Sequence, residues 1–125
     1  MREHKYRGKR LDNGEWVYGG LIADGKGNYA IAKLVILNNC NTASVHMVDP
    51  ATVGEYTGLK DKNGKEIYEG DILQDEVGFQ GIISYSMATF YGDFGKGFEP
   101  QYFSEGLHEA CIVVGTIHDN PELLK

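Results

Sequence analysis

A chain of 125 residues has material for one compact domain or two very small modules sharing a core. With 42% hydrophobic residues, 24% charged residues and a net charge of −6, its composition is that of a soluble globular protein. The acidity disfavours broad contact with nucleic-acid phosphates, and no apolar run approaches the length of a membrane span.

The N-terminal segment "MREHKYRGKR" holds five of the twelve basic residues, Arg2, Lys5, Arg7, Lys9 and Arg10. The rest of the chain then carries seven basic against seventeen acidic residues. This basic strand is a candidate nucleic-acid contact, although a solvated strand face is the commoner origin of such a pattern. No apolar segment follows it, so no secretory signal is expected. The two cysteines, Cys40 and Cys111, make no disulfide framework, and a reducing cytoplasm is the expected compartment.

Asn13-Gly14 predicts a hairpin between "KYRGKR" and "EWVYGGLI", because both central residues of a type I′ turn need positive φ. "NYAIAKLVIL" and "ASVHMV" read as the next strands. Asp49 then suits a helix N-cap, with Pro50 at the first helical position, where its missing N–H is harmless. Asn63-Gly64 predicts a second hairpin, between "YTGLK" and "EIYEGDIL". "FQGIISYS", "PQYFSE" and "CIVVGTIH" are further strands, and Asn120-Pro121 again predicts a short helical turn. No window offers a long amphipathic helix. Seventeen glycines against three prolines suit short strands joined by tight turns. The expected class is all-β, built as small, partly open barrels of SH3-like type.

An internal repeat supports two modules. "YRGKRLDNGEWVYGGLI" (Tyr6 to Ile22) lies over "YTGLKDKNGKEIYEGDI" (Tyr56 to Ile72) without gaps, and seven pairs are identical, among them Tyr6/Tyr56, Asn13/Asn63, Gly14/Gly64 and Tyr18/Tyr68. Both copies also end in a strand followed by Asp-Pro or Asn-Pro. The modules expected are 1–50 and 51–125, the second carrying a long aromatic and glycine-rich insertion over 87–103.

The acidic stretch from Tyr56 to Leu73 invites a catalytic reading, since Glu69 and Asp71 would share one face of an ideal strand. Their counterparts in the first copy are Gly19 and Leu21, so the shared features are scaffold and the acidic pair is not. Cys40, His46, His108 and Cys111 lack zinc-finger spacing, and "DKNGKE" fails the later ligand positions of a calcium loop. Ser44 and His46 share a strand face without a third catalytic partner. "GDFGKG" has neither the hydroxyl residue nor the following helix of a phosphate loop. No catalytic residue, metal or cofactor is therefore expected, and the chain is read as a non-enzyme.

The insertion carries Phe90, Tyr91, Phe94, Phe98, Tyr102 and Phe103, interrupted by Gly92, Gly95 and Gly97. These rings are the candidate protein contacts, expected on a projecting hairpin or arm that buries them against a second chain. The alternatives are that they cap the cores of their own chain or stack on single-stranded bases.

"VDPATVGEYTGLKDKNGKEIYEGDIL", with "RGKRLDNGEWVYG" before it and "IVVGTIHDNPELL" at the end, resembles the YopX family of phage and prophage proteins. The likeness covers nearly the whole chain except "ADGKGN" and the segment from about Gly78 to Ala110. It implies small β-barrel modules, a phage or prophage origin and self-association, and it implies no reaction. The functional expectation is an accessory protein acting through protein contacts, as a homo-oligomer or with a host or phage partner, and not at a membrane. Nucleic-acid binding through the basic strand is the alternative.

Overall fold

The computed structural model describes residues 5–38, 40–103 and 106–124. Among them the chain is nearly all β. The strands are β1 (Tyr6–Lys9), β2 (Trp16–Ala23), β3 (Tyr29–Leu37), β4 (Cys40–Val48), β5 (Gly54–Lys60) and β6 (Glu66–Tyr68), then β7 (Asp71–Gln74), β8 (Gln80–Ser86), β9 (Thr89–Asp93), β10 (Gln101–Tyr102) and β11 (Ile112–Thr116). One short helix, α1, spans Leu107–Ala110. The strands make two antiparallel sheets, in the orders β4-β3-β2-β1-β5-β6 and β10-β9-β8-β7-β11, and neither sheet closes on itself. Two compact units divide inside β5, between Tyr56 and Thr57.

In the first unit, β1 to β4 form an antiparallel meander. Its longest pairing is β3 with β4, from Tyr29↔Val48 to Leu37↔Cys40. Alternation places Ile31 and Val48 inside, each 1% exposed. Gly8 lets β1 pass close to Val48, since a Cβ there would lie 3.0 Å from the valine side chain. The turn after β4 forms as its residues dictate. Pro50–Thr52 is a 3-10 helix capped by Asp49, whose side chain accepts the Ala51 N–H at 3.0 Å. Thr52 fastens it to β1, accepting the Lys9 N–H at 2.8 Å. At the other end of the chain Pro121–Leu124 is another 3-10 turn.

The second unit holds a core of Ile67, Leu73, Ile83, Phe90, Leu107 and Cys111, with Phe94, Phe103 and Val113 packed against it. Burying each large apolar side chain contributes about 1.5–3 kcal/mol.

Both Asn-Gly hairpins form, but not as two-residue type I′ turns. Arg10 N donates to Glu15 O at 2.9 Å, and Asp61 N donates to Lys65 O at 2.7 Å, so the loops hold residues 11–14 and 62–64. Gly14 (φ 74°) and Gly64 (φ 87°) are left-handed, whereas Asn13 and Asn63 are not. The reason lies in local side-chain bonds. Asn13 Oδ1 accepts the Glu15 N–H, and Asp61 Oδ1 accepts the N–H groups of Asn63 and Lys65. Such contacts favour a longer loop ending on a left-handed glycine.

The two aligned stretches part after these turns. β2 runs unbroken, but "EIYEGDIL" is two strands with a corner at Glu69-Gly70. Gly70 takes φ 92°, a conformation that Gly20 does not share. The corner is pinned on both sides, by Gly70 N to Ile83 O and Ile117 N to Gly70 O, each 2.9 Å. Asp71 is 1% exposed, and its Oδ2 accepts the Tyr68 N–H at 2.7 Å. Glu69 and Asp71 are thus not neighbours on one strand face.

The aromatic segment is not an arm. Its first part is β9, paired with β8 on one side and β10 on the other. The turn from β8 to β9 is Met87-Ala88, closed by Ser86↔Thr89, with φ 52° and 64°. Two positive φ values in a two-residue loop describe the type I′ geometry, here on residues with a Cβ that resists it. Replacing the pair by Met87→Asn with Ala88→Gly is expected to raise unfolding free energy by about 1 kcal/mol. Urea titration checks this, and an unchanged or lower midpoint contradicts it.

Candidate functional site

Elements of the second unit frame one cleft. β7 passes into β8 through a loop organised by Asp75, whose Oδ1 accepts the N–H groups of Val77, Gly78 and Phe79 at 2.9–3.0 Å. This Asx-type cap presents the Phe79 ring. After β9, Asp93 accepts the Gly95 N–H at 2.9 Å, and Phe98 N donates to Gly95 O at 3.2 Å. Gly95 and Gly97 take φ 98° and 93°, values that only glycine adopts readily, and the resulting turn presents Phe98. The Phe79 and Phe98 ring centroids lie 5.3 Å apart.

β10 adds Tyr102, whose ring lies 6.2 Å from that of Tyr91. The floor is Phe94, Leu107 and Cys111. Two glycines on the strands make room for it. A Cβ at Gly81 would lie 2.8 Å from the Phe94 ring, and one at Gly92 would lie 3.0 Å from Leu107. The cleft has a volume of about 270 Å³ and is also lined by Asp75, Gln101, Gly106 and Ala110. Phe98 is 51% exposed, and Phe79 and Tyr102 are also open to solvent. An apolar recess with exposed rings and few polar groups has the make-up of a contact site.

Cys111 is buried, and its thiol is pushed above its ordinary value, first by burial and then by the Asp75 charge. A protonated thiol is a poor nucleophile.

Asp61 fixes the backbone beneath the floor. Its Oδ2 accepts the Val113 N–H at 2.8 Å across 52 positions of sequence, and Lys62 N donates to Cys111 O at 3.1 Å. Burial alone would raise the Asp61 pKa. The N–H groups of Val113, Lys65 and Asn63, with the Lys65 charge, outweigh it and hold the carboxyl below its ordinary value.

The other sequence candidates fall elsewhere. Phe90 is 5% exposed and belongs to the core of its own chain, in edge contact with Tyr85 at 4.7 Å. Phe103 packs on the same core, so of the six rings Phe94, Phe98 and Tyr102 line the cleft and Tyr91 flanks it.

Ser44 Oγ and His46 Nε2 are 2.9 Å apart, in a smaller recess of the first unit beside Trp16, Ile31 and Lys33. Among the described residues no acid lines that recess, although the His46 charge reaches Asp12. Among the described residues no group of three metal-ligand side chains converges, and the Cys40 side chain lies outside them.

Arg2 also lies outside the described residues. Arg7 is buried over the Trp16 ring at 4.5 Å, Lys9 approaches the same ring at 5.5 Å, and Lys5 lies 4.9 Å from the Tyr56 ring. Arg10 pairs with Asp12 at 2.6 Å. These four cations are engaged within their own unit.

Sequence reasoning passed over Asp75, Phe79 and Asp61. The signal for the first two was "DEVGF", an aspartate three residues before a glycine at a loop. "DKNG" carries the same signal for the Asp61 turn, but the bond from Asp61 to Val113 had none, because that partner is distant in sequence.

The residues that carry the hairpins, the corner and β11 match the YopX protein family over residues 5–125, and the chain belongs to that family. Among solved structures it is similar to protein EF1440 from Enterococcus faecalis, with 25% sequence identity, a TM-score of 0.66 and 100% of each chain covered. No curated protein matches it. No helix among the described residues is long and apolar enough to cross a membrane.

Asp61 sets an acid dependence. Its folded pKa is depressed, so its contribution is complete above the ordinary value of 3.8 and is lost as pH falls through the lower folded value. Asp61→Ala is expected to cost about 2 kcal/mol at neutral pH, since it removes charge-assisted hydrogen bonds and leaves partly buried N–H groups without that acceptor. The gap between wild type and variant should narrow below pH 3.8 in paired urea titrations. A gap that stays constant into acid contradicts the assignment.

Proposed function

We propose that this protein is a non-enzymatic accessory protein of phage or prophage origin that works through protein–protein contacts. The aromatic cleft of the second unit carries this reading. Three exposed rings, Phe79, Phe98 and Tyr102, surround a recess of about 270 Å³ that holds no activated nucleophile. That volume suits one side chain of a partner rather than a whole cofactor. Aromatic rings around a pocket are the usual anchors of protein interfaces.

The finer parts of the reading belong with it. The two aligned stretches, with left-handed glycines at 14 and 64, fit descent from a duplicated SH3-like module. Family membership fits a cytoplasmic protein of the bacterial host, acting as a homo-oligomer or with another chain. The alternative, nucleic-acid binding through Lys5, Arg7, Lys9 and Arg10, has less support because those side chains are engaged locally.

Site-specific photo-crosslinking in the bacterial host tests the reading. A photoreactive phenylalanine analogue at position 98 is expected to give one discrete, saturable adduct whose mass identifies a second copy or another protein. The same analogue at Lys26, on the exposed turn between β2 and β3, should not give that adduct. Identical adducts from both sites, or none from position 98, would count against it.

A further inference from the structure

The cleft has a charge signature that narrows what enters it. Asp75 lines it beside the rings of Phe79, Phe94, Phe98 and Tyr102. One of its oxygens, Oδ1, is occupied by the three loop N–H groups. The other, Oδ2, has no hydrogen bond or ion pair among the described residues. The nearby Lys62 does not supply a cation, because it is paired with Glu76 at 3.1 Å. The Asp75 charge reaches the floor of the cleft, where it contributes to keeping the Cys111 thiol protonated.

A neutral apolar side chain in this recess would strip water from the Asp75 carboxylate and give it no new partner, which is costly. A cation would pair with Oδ2, while the negative faces of the rings attract the same charge. The aliphatic stem of such a side chain would lie against Leu107 and Phe94.

Resting on the reading of the cleft as a protein-contact site, we infer that its occupant is a lysine or arginine side chain from a basic segment of the partner protein. The net charge of −6 complements such a segment at longer range.

Amide NMR titrations of the full chain with n-butylammonium, n-butylguanidinium and the neutral 1-pentanol test the inference. The two cations are expected to shift the amides of Phe98, Tyr102 and Leu107 and to bind about three- to tenfold more tightly than pentanol. Asp75→Asn keeps an Oδ1 acceptor for the loop N–H groups, so the fold should persist while the cation preference disappears. Phe98→Ala should weaken all three probes.

Pentanol binding as tightly as the cations, or a preference that survives Asp75→Asn, overturns the inference. So does the absence of cleft shifts with every probe. The crosslink at position 98 is read independently, so its adduct can stand for the contact site when the cationic occupant fails.

Discussion

Backbone N–H groups of Asn63, Lys65 and Val113 converge on the buried carboxylate of Asp61. Two of them belong to the hairpin that joins β5 to β6, and the third opens β11, so one side chain shapes a turn and docks a distant strand on it. The backbone bond from Lys62 to Cys111 continues the same seam. Cys111 ends α1 and forms the floor of the cleft, so the cleft depends on a residue that does not line it. A carboxylate can do this where a neutral acceptor is weaker, because its bonds to N–H groups are charge-assisted.

The cleft follows from absent side chains as much as from present ones. Gly81 and Gly92 leave room on β8 and β9 for Phe94 and Leu107 to lie across the sheet. Gly95 and Gly97 turn the chain so that Phe98 faces Phe79. The rings therefore divide into two groups. Phe90 and Phe103 stabilise the core, and Phe79, Phe98 and Tyr102 remain open around a recess. Local loop chemistry at Asp75 and Asp93 holds the loops that carry the open rings, so the recess is formed by the chain's own bonds.

Features governed by short-range chemistry were legible in the sequence. The all-β class, the two hairpins with glycine at 14 and 64, and the helical turns after Asp49 and Asn120 each rest on residues a few positions apart. The type I′ geometry was misplaced because loop length was set by side-chain bonds from Asn13 and Asp61. It occurs instead at Met87-Ala88, where no residue announces it. The alternation of "EIYEGDIL" misled because Gly70 turns the chain and Asp71 caps that turn. β9 was hidden by glycines that resemble a loop and serve packing. The cleft joins residues 75 to 111 through tertiary structure, and only its aromatic richness was visible in advance. Of the six rings named from sequence, three line the cleft, and the charged group beside them was not singled out.

In this YopX family member the aromatic recess is the feature that the proposed contact with a partner depends on. In-cell 19F NMR with fluorophenylalanine placed singly at Phe98 or at Phe90 reads whether a partner occupies it. The two rings differ sharply in exposure, 51% against 5%, within one unit. The position-98 resonance in cells is expected to be displaced from its value in the purified, dilute protein, while the position-90 resonance is not. A position-98 resonance that is the same in both settings would contradict that contact.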